Sequence, residues 1–151
     1  MSRLHFEIFI ERPQETVFQL LADLPGYASW LPSSELYKGT ITISERPIQL
    51  GTTYSSQEPS VKLRGEVTIF RPYSQLAFHQ MAHYPQFLPD REVEMRIRYI
   101  LQPEDDGTRV RRYVEVHAPG SFKVVPIVLL QAVRNESKRF LQRMKWYLEA
   151  R

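Results

Sequence analysis

The longest helical pattern in the sequence lies at its C-terminal end, within residues 120–151. Apolar positions recur there at steps of three and four, which places them on one face of a helix. That face comprises Val125, Leu129, Ala132 or Val133, Glu136, Phe140, Met144 and Tyr147 or Leu148. No Gly or Pro follows Ile127. The pattern predicts a helix of about 25 residues, whose apolar face must be covered by the rest of the chain.

Seven earlier segments are predicted strands between turns, and several of them alternate between apolar and polar residues, as strands with one buried face do. The clearest is 91–102, whose apolar positions are Val93, Met95, Ile97, Tyr99 and Leu101. We predict strands at residues 3–11, 35–45, 52–57, 62–70, 75–83, 91–102 and 108–117. Two short helices are predicted after the first strand, one beginning at Pro13 and one at about residues 25–30.

Short turns between consecutive strands, including Asp106-Gly107, favour hairpins and therefore an antiparallel sheet. One face of this sheet is polar and meets water, and the C-terminal helix is the only element large enough to cover the other. The predicted fold is α+β: a curved seven-stranded antiparallel sheet wraps around the long C-terminal helix. Where facing side chains leave space between sheet and helix, a small apolar molecule could bind.

Composition narrows the classes of protein. With 151 residues, 42% hydrophobic and 25% charged, we expect one domain over residues 1–151 and a monomer or dimer. The absence of Cys excludes disulfides and thiolate chemistry. The N-terminus lacks a signal-peptide pattern and no stretch is long enough to span a membrane, so we expect a cytoplasmic protein that makes at most transient membrane contact. The net charge of +3 is spread along the chain, which does not favour nucleic-acid binding.

The residues with catalytic potential form no recognisable motif. His79 and His83 would be about 13 Å apart on a strand, too far to share a metal ion. Neither a nucleophile elbow nor a Gly-rich phosphate loop is present, and we expect no metal site and no cofactor. The four His residues are interpreted as surface or structural residues.

Two charged residues fall on faces that are predicted to point inward. Arg112 alternates with Val110 and Val114, and Glu136 lies within the apolar face of the C-terminal helix. Because buried charges are costly unless paired, the two could pair with each other or hold the polar head of a ligand. Alternatively, a bulge shifts the register and both face water. We hypothesise that Arg112 orients an anionic or carbonyl-bearing ligand.

Aromatic residues of the strands could line a cavity or simply fill the core. The predicted ligand contacts are Trp30, Tyr54, Phe78, Tyr99, Arg112, Leu129, Val133 and Glu136. The loop at residues 84–89, which carries Phe87 and Leu88 between prolines, is either a lid over the cavity or an ordinary packed loop.

The order of these elements resembles the START and pollen-allergen-like helix-grip superfamily, which includes polyketide cyclase/dehydrase and lipid-transport domains. The resemblance spans the whole chain and is carried by residues 8–18 (IFIERPQETVF), 23–32 (DLPGYASWLP), 51–52, 65–72, 106–110 (DGTRV) and 141–149 (LQRMKWYLE). It implies a hydrophobic cavity that binds, sequesters or transports a lipid- or polyketide-like molecule.

The same resemblance leaves a catalytic alternative open. An aromatase/cyclase-like enzyme on this fold would use a polar cavity residue such as Arg112, His79 or Tyr54 as an acid or orienting group. A third alternative is an interaction module that uses the outer sheet face over a solid core.

Overall fold

The computed structural model of the protein describes residues 1–118 and 125–151. Its strands are β1 (Ser2–Ile10), β2 (Thr42–Ile43), β3 (Thr53–Glu58), β4 (Val61–Arg71), β5 (Gln75–His83), β6 (Val93–Glu104) and β7 (Gly107–His117). Its helices are α1 (Gln14–Ala22), a 3-10 helix (Pro25–Ser29) and α2 (Ile127–Glu149). Within the described residues, no helix is long and apolar enough to cross a membrane.

The seven strands form one antiparallel sheet in the order β1-β7-β6-β5-β4-β3-β2. Every pair of neighbours except β1 and β7 is also consecutive in the chain, as the short turns predicted. The sheet curves around α2, so the predicted helix-grip fold is confirmed. Part of the predicted start of α2 falls at residues 120–124, which lie outside the described residues. The helix begins after Pro126, whose missing N–H costs little at a helix start.

The inward side chains of the sheet pack against α2 in two hydrophobic clusters. We call one the valine cluster, which includes Val61, Val93, Val114, Val116 and Leu129. We call the other the aromatic cluster, which includes Phe6, Phe18, Tyr27, Trp30, Tyr54, Phe78, Tyr99 and Phe140. The first turns of α2 contact the valine cluster, and its later turns contact the aromatic cluster.

The strand predicted at residues 35–45 is wrong for most of its length, since only Thr42–Ile43 pair with a neighbour. The Ser34 hydroxyl accepts hydrogen bonds from the backbone N–H groups of Leu36 and Tyr37, both at 3.2 Å, which holds this part of the chain in a turn. Gly39 then adopts a φ of +85°, which an extended strand does not allow. The segment is therefore a loop, which we call the 33–41 loop.

A β-bulge changes the predicted alternation of β4. Val67 pairs with Phe78 but Ile69 pairs with Ala77, so one extra residue is inserted between Val67 and Ile69. As a result Phe70, and not Ile69, turns inward and packs edge-on against Phe18 at 5.5 Å between ring centroids.

The C-terminal end of α2 is fixed to β1 by polar contacts. The Lys145 ammonium donates to the Phe9 carbonyl at 2.7 Å and to the Glu149 carboxylate at 2.8 Å. The same carboxylate accepts the Glu11 backbone N–H at 2.9 Å. These contacts hold the helix axis in place over the aromatic cluster.

Candidate ligand-binding cavity

A cavity of about 120 Å³ lies between the sheet and α2, where the two clusters meet. Its wall is mainly aromatic and aliphatic, with three polar or charged side chains, Gln80, Arg112 and Glu136. The aromatic residues that line it are Tyr27, Tyr37, Tyr54, Phe78, Tyr84, Tyr99 and Phe140. Strands β3 to β7 supply one wall because their inward positions fall in register across the sheet.

Six of the eight predicted ligand contacts line this cavity: Tyr54, Phe78, Tyr99, Arg112, Val133 and Glu136. The other two do not. Trp30 packs edge-on against Phe140, at 5.1 Å between ring centroids, behind the cavity wall. Leu129 is fully buried one turn before Val133, within the valine cluster. Whether the six residues contact a ligand stays a prediction.

Arg112 is the central polar group of the cavity. Its side chain points inward and is 6% exposed. The guanidinium donates to the hydroxyls of Ser137, at 3.1 Å, and Tyr99. It also lies 5.2 Å from the centroid of the Phe140 ring and 5.5 Å from that of Tyr99, which partly offsets the loss of hydration. No carboxylate among residues 1–118 and 125–151 lies within 4.0 Å of it.

Glu136 does not pair with Arg112, although both line the cavity. Its carboxylate accepts hydrogen bonds from Arg139 at 2.9 and 3.1 Å and from the Ser34 hydroxyl at 2.8 Å. Arg139 also donates to the Pro32 carbonyl at 2.6 Å. These contacts tie the 33–41 loop to α2. Tyr37 and Glu136 are only half-buried, so the cavity is nearest to solvent between the 33–41 loop and α2.

The remaining polar groups of the cavity are mostly hydrogen-bond donors. The Tyr54 hydroxyl donates to the Gln80 side-chain oxygen at 2.7 Å. The Gln80 amide nitrogen and the Tyr84 hydroxyl reach only the Met95 sulfur, at 3.7 and 3.9 Å, and a thioether is a weak acceptor. The Glu136 carboxylate is already engaged by Arg139 and Ser34, so the cavity presents more free donors than free acceptors.

Burial raises the pKa of the Tyr54, Tyr84 and Tyr99 hydroxyls, because the phenolate form would lose its hydration. For Tyr99 the nearby Arg112 charge opposes this increase in pKa without reversing it. All three hydroxyls are consequently protonated at neutral pH. Since Arg112 donates to the Tyr99 oxygen, the Tyr99 proton is available to a further acceptor.

Gly65 makes room for the Tyr54 ring. A Cβ atom at Gly65 would lie 2.6 Å from two atoms of the Tyr54 phenol and 2.7 Å from the His79 carbonyl oxygen. The neighbouring strand therefore needs glycine here for Tyr54 to lie flat across the sheet and reach Gln80.

The histidines lie away from the cavity. His79 is on the outer sheet face, 2.7 Å from the Glu94 carboxylate, and this hydrogen bond lowers the pKa of Glu94. The suggestion that His79 acts inside the cavity is therefore wrong, because β5 alternates and Phe78 and Gln80 take the inward positions. Among the described residues, no group of three or more His, Asp or Glu could hold a metal ion.

The β5–β6 connection packs closely on the protein. The backbone N–H groups of Phe87 and Leu88 both donate to the Tyr84 carbonyl at 3.0 Å, and the two side chains pack against the valine cluster. Of the two alternatives for this loop, the structure shows the packed loop. Tyr84 itself is 3% exposed and lines the cavity.

A family model described as polyketide cyclase/dehydrase and lipid transport matches residues 1–149. The chain belongs to this family. The match covers nearly the whole sequence, so the resemblance to the START-like helix-grip superfamily is confirmed. No curated protein matches the sequence significantly.

Solved structures share the fold of this cyclase/dehydrase and lipid-transport family member. Protein MLL2253 from Mesorhizobium loti superimposes with a TM-score of 0.74 at 16% identity, covering 99% of this chain and 98% of that chain. Ara h 8.0201 gives 0.69 at 15% identity, with 99% of both chains covered. DynU16, a protein in the dynemicin biosynthetic locus, gives 0.69 at 16% identity; the match covers 99% of this chain but 48% of DynU16. At these identities the likeness establishes the fold alone.

Several cavity residues were missed by the sequence reasoning. Gln80 is two residues from Phe78 on the same strand, and Phe140 is one helical turn after Glu136. The alternation of the strand and the period of the helix could therefore have predicted both residues. Met95 shares the inward face of β6 with Tyr99, so alternation could have found it too. Tyr84 required the three-dimensional arrangement, because a packed loop brings its hydroxyl to the Met95 sulfur.

Proposed function

We propose that this protein binds a small apolar molecule with an anionic or carbonyl-bearing head in the cavity between the sheet and α2. The observation that carries the proposal is Arg112, a buried guanidinium without a described carboxylate within 4.0 Å. An ion in such a place is costly unless a counter-charge arrives, and a ligand acid would form a charge-assisted hydrogen bond with it. The surplus of donors around Arg112 favours the same class of ligand.

The size of the cavity limits what enters without rearrangement. An apolar protein cavity of about 150 Å³ binds benzene, and the cavity here is of similar size at about 120 Å³. One aromatic ring with a short acidic head therefore fits, and a lipid- or polyketide-sized ligand requires the 33–41 loop to move away from α2. In this proposal the protein sequesters or carries its ligand. We also propose a cytoplasmic location, with which a sequence without Cys agrees.

Titration with benzoate and benzamide tests the proposal, because the two probes share a ring and differ in charge. Chemical shifts of the cavity methyl groups report where each probe binds. Benzoate is expected to bind about tenfold more tightly than benzamide, as a charge-assisted contact with Arg112 requires. Equal affinities would contradict the acidic head, and no shift with either probe would contradict the cavity as a binding site.

The second candidate function is a cyclase acting on a polyketide-type substrate. The observation that favours it is the Arg112–Tyr99 contact, which places a fixed positive charge beside a protonated hydroxyl in an apolar cavity. Arg112 could polarise a ketone while Tyr99 gives its proton to the ketone oxygen. The enol form of the substrate would attack the carbonyl carbon in an intramolecular aldol closure, and the enol O–H proton would return to the Tyr99 oxygen. Turnover of a poly-β-ketone that is lost in Tyr99→Phe would support the enzyme, whereas tight binding without turnover would support the carrier.

A further inference from the structure

The helix α2 carries the whole net charge of the protein. It contains five Lys or Arg and two Glu, which accounts for the net charge of +3, and the remainder of the chain holds fifteen charged residues of each sign. Both acids are already engaged: Glu136 by Arg139 and Ser34, and Glu149 by Lys145. The positive charge is therefore concentrated on the outward side of one element.

Three exposed cations lie on the outward surface of α2: Arg134 and Lys138 are one turn apart on one flank, and Arg143, two and a half turns after Arg134, is on the other flank. None of them lies within 4.0 Å of a carboxylate in the described part of the chain. We call the outward surface of α2 that carries them the basic face.

Apolar side chains lie at both ends of the basic face. Trp146 is 57% exposed near the C-terminal end, with the Arg143 guanidinium 5.6 Å from its ring centroid. At the N-terminal end, Ile127 and Val128 are 82% and 65% exposed. Lys and Arg side chains between an exposed Trp and exposed aliphatic residues suit a surface that contacts the interface of an anionic bilayer, although the main apolar face of α2 packs on the sheet.

We propose that the basic face of α2 docks onto the surface of anionic lipid membranes. Arg134, Lys138 and Arg143 would contact lipid headgroups, and Trp146 would enter the interface between headgroups and acyl chains. Nucleic acid would satisfy the same charges but would leave Ile127 and Val128 exposed to water. The opposite side of this helix lines the cavity through Val133 and Glu136, so docking would bring the cavity close to a reservoir of apolar molecules.

Vesicle co-sedimentation with matched variants tests this proposal. One variant, Arg134→Gln/Lys138→Gln/Arg143→Gln, removes the charges of the basic face. Its control, Lys62→Gln/Arg71→Gln/Arg96→Gln, removes three exposed positive charges from the sheet. The two triple variants therefore have the same net charge. The wild type and the control should bind vesicles of equal parts phosphatidylcholine and phosphatidylserine. The α2 variant should bind about a hundredfold more weakly, and added salt should weaken binding of the wild type.

Tryptophan fluorescence provides an independent readout because the two Trp residues differ in exposure, 6% for Trp30 and 57% for Trp146. Anionic vesicles should shift the emission of the wild type to shorter wavelength, and Trp146→Phe should abolish the shift. The proposal is overturned if both triple variants bind equally, or if pure phosphatidylcholine vesicles bind as well as anionic ones. It is also overturned if a duplex DNA competitor binds the basic face more tightly than the vesicles do.

Discussion

The helix α2 meets the sheet in two chemically different ways. In the part of the valine cluster around Val114, Val116 and Leu129, these side chains are fully buried and do not line the cavity. Where the valine cluster meets the aromatic cluster, rings meet edge to face, as Tyr54 and Phe78 do at 5.6 Å between centroids, around a cavity that Arg112 lines. One part of the interface between α2 and the sheet is therefore closed core, and the other borders the cavity for which we propose a ligand.

The largest expected effect follows from shortening Leu129 in the valine cluster. Leu129→Ala should lower the free energy of unfolding by about 3 kcal/mol, because the side chain is fully buried and tightly packed neighbours cannot fill the space. Urea denaturation measures this loss. Benzoate affinity of the folded variant should not change, since Leu129 does not line the cavity. A large loss of affinity with little loss of stability would break the distinction between the two clusters.

A smaller effect is expected from adding a methyl group at the edge of the aromatic cluster. Gly65→Ala should cost about 2 kcal/mol of stability, because its Cβ would overlap the Tyr54 ring and the His79 carbonyl. It should also weaken benzoate binding by moving Tyr54 into the cavity. The matched measurement is the same substitution in a Tyr54→Leu background, where the loss of stability should be smaller. An equal loss in both backgrounds would show that Tyr54 is not what requires glycine.

The smallest effect concerns the end of α2 beyond the aromatic cluster. Hydrogen bonds from Lys145 and from the Glu11 backbone lower the pKa of Glu149. A carboxyl group with a lowered pKa stabilises the fold above its ordinary pKa of about 4, and the contribution is lost as the pH falls through the lower value. Glu149→Gln should therefore cost about 1 kcal/mol at pH 7 and progressively less below pH ~4. Unfolding curves across this range measure the difference, and a constant difference at every pH would contradict it.

The architecture could be predicted because it depends on periodicity. Alternation in residues 91–102 and the helical period after Ile127 set the faces of β6 and α2, and both faces are as expected. Alternation also placed Arg112 inward. The prediction failed where a side chain competes with the backbone pattern, as Ser34 does by capping the 33–41 loop, and at the bulge after Val67, which has no signal in the sequence.

The cavity itself could be predicted only in part. Strand alternation and helical period give the direction in which a side chain points, but the residue that it contacts depends on the distances between strands and helices. Arg112 and Glu136 both point inward as expected, yet Glu136 pairs with Arg139 one turn along its own helix. Trp30 was expected at the cavity and instead packs behind Phe140, because the 3-10 helix that precedes it directs it to the far side of that ring.

Replacing Arg112 with Met tests the central claim most directly, because Met has a similar length and no charge. We expect the free energy of unfolding of Arg112→Met to stay within about 1 kcal/mol of the wild-type value or to rise, because a buried charge with no carboxylate beside it is removed. We expect benzoate affinity to fall about thirtyfold and benzamide affinity to fall less, because the uncharged amide oxygen accepts a weaker hydrogen bond from Arg112 than a carboxylate does. A variant that is several kcal/mol less stable and still binds benzoate normally would contradict the account, because Arg112 would then support the core and not the ligand.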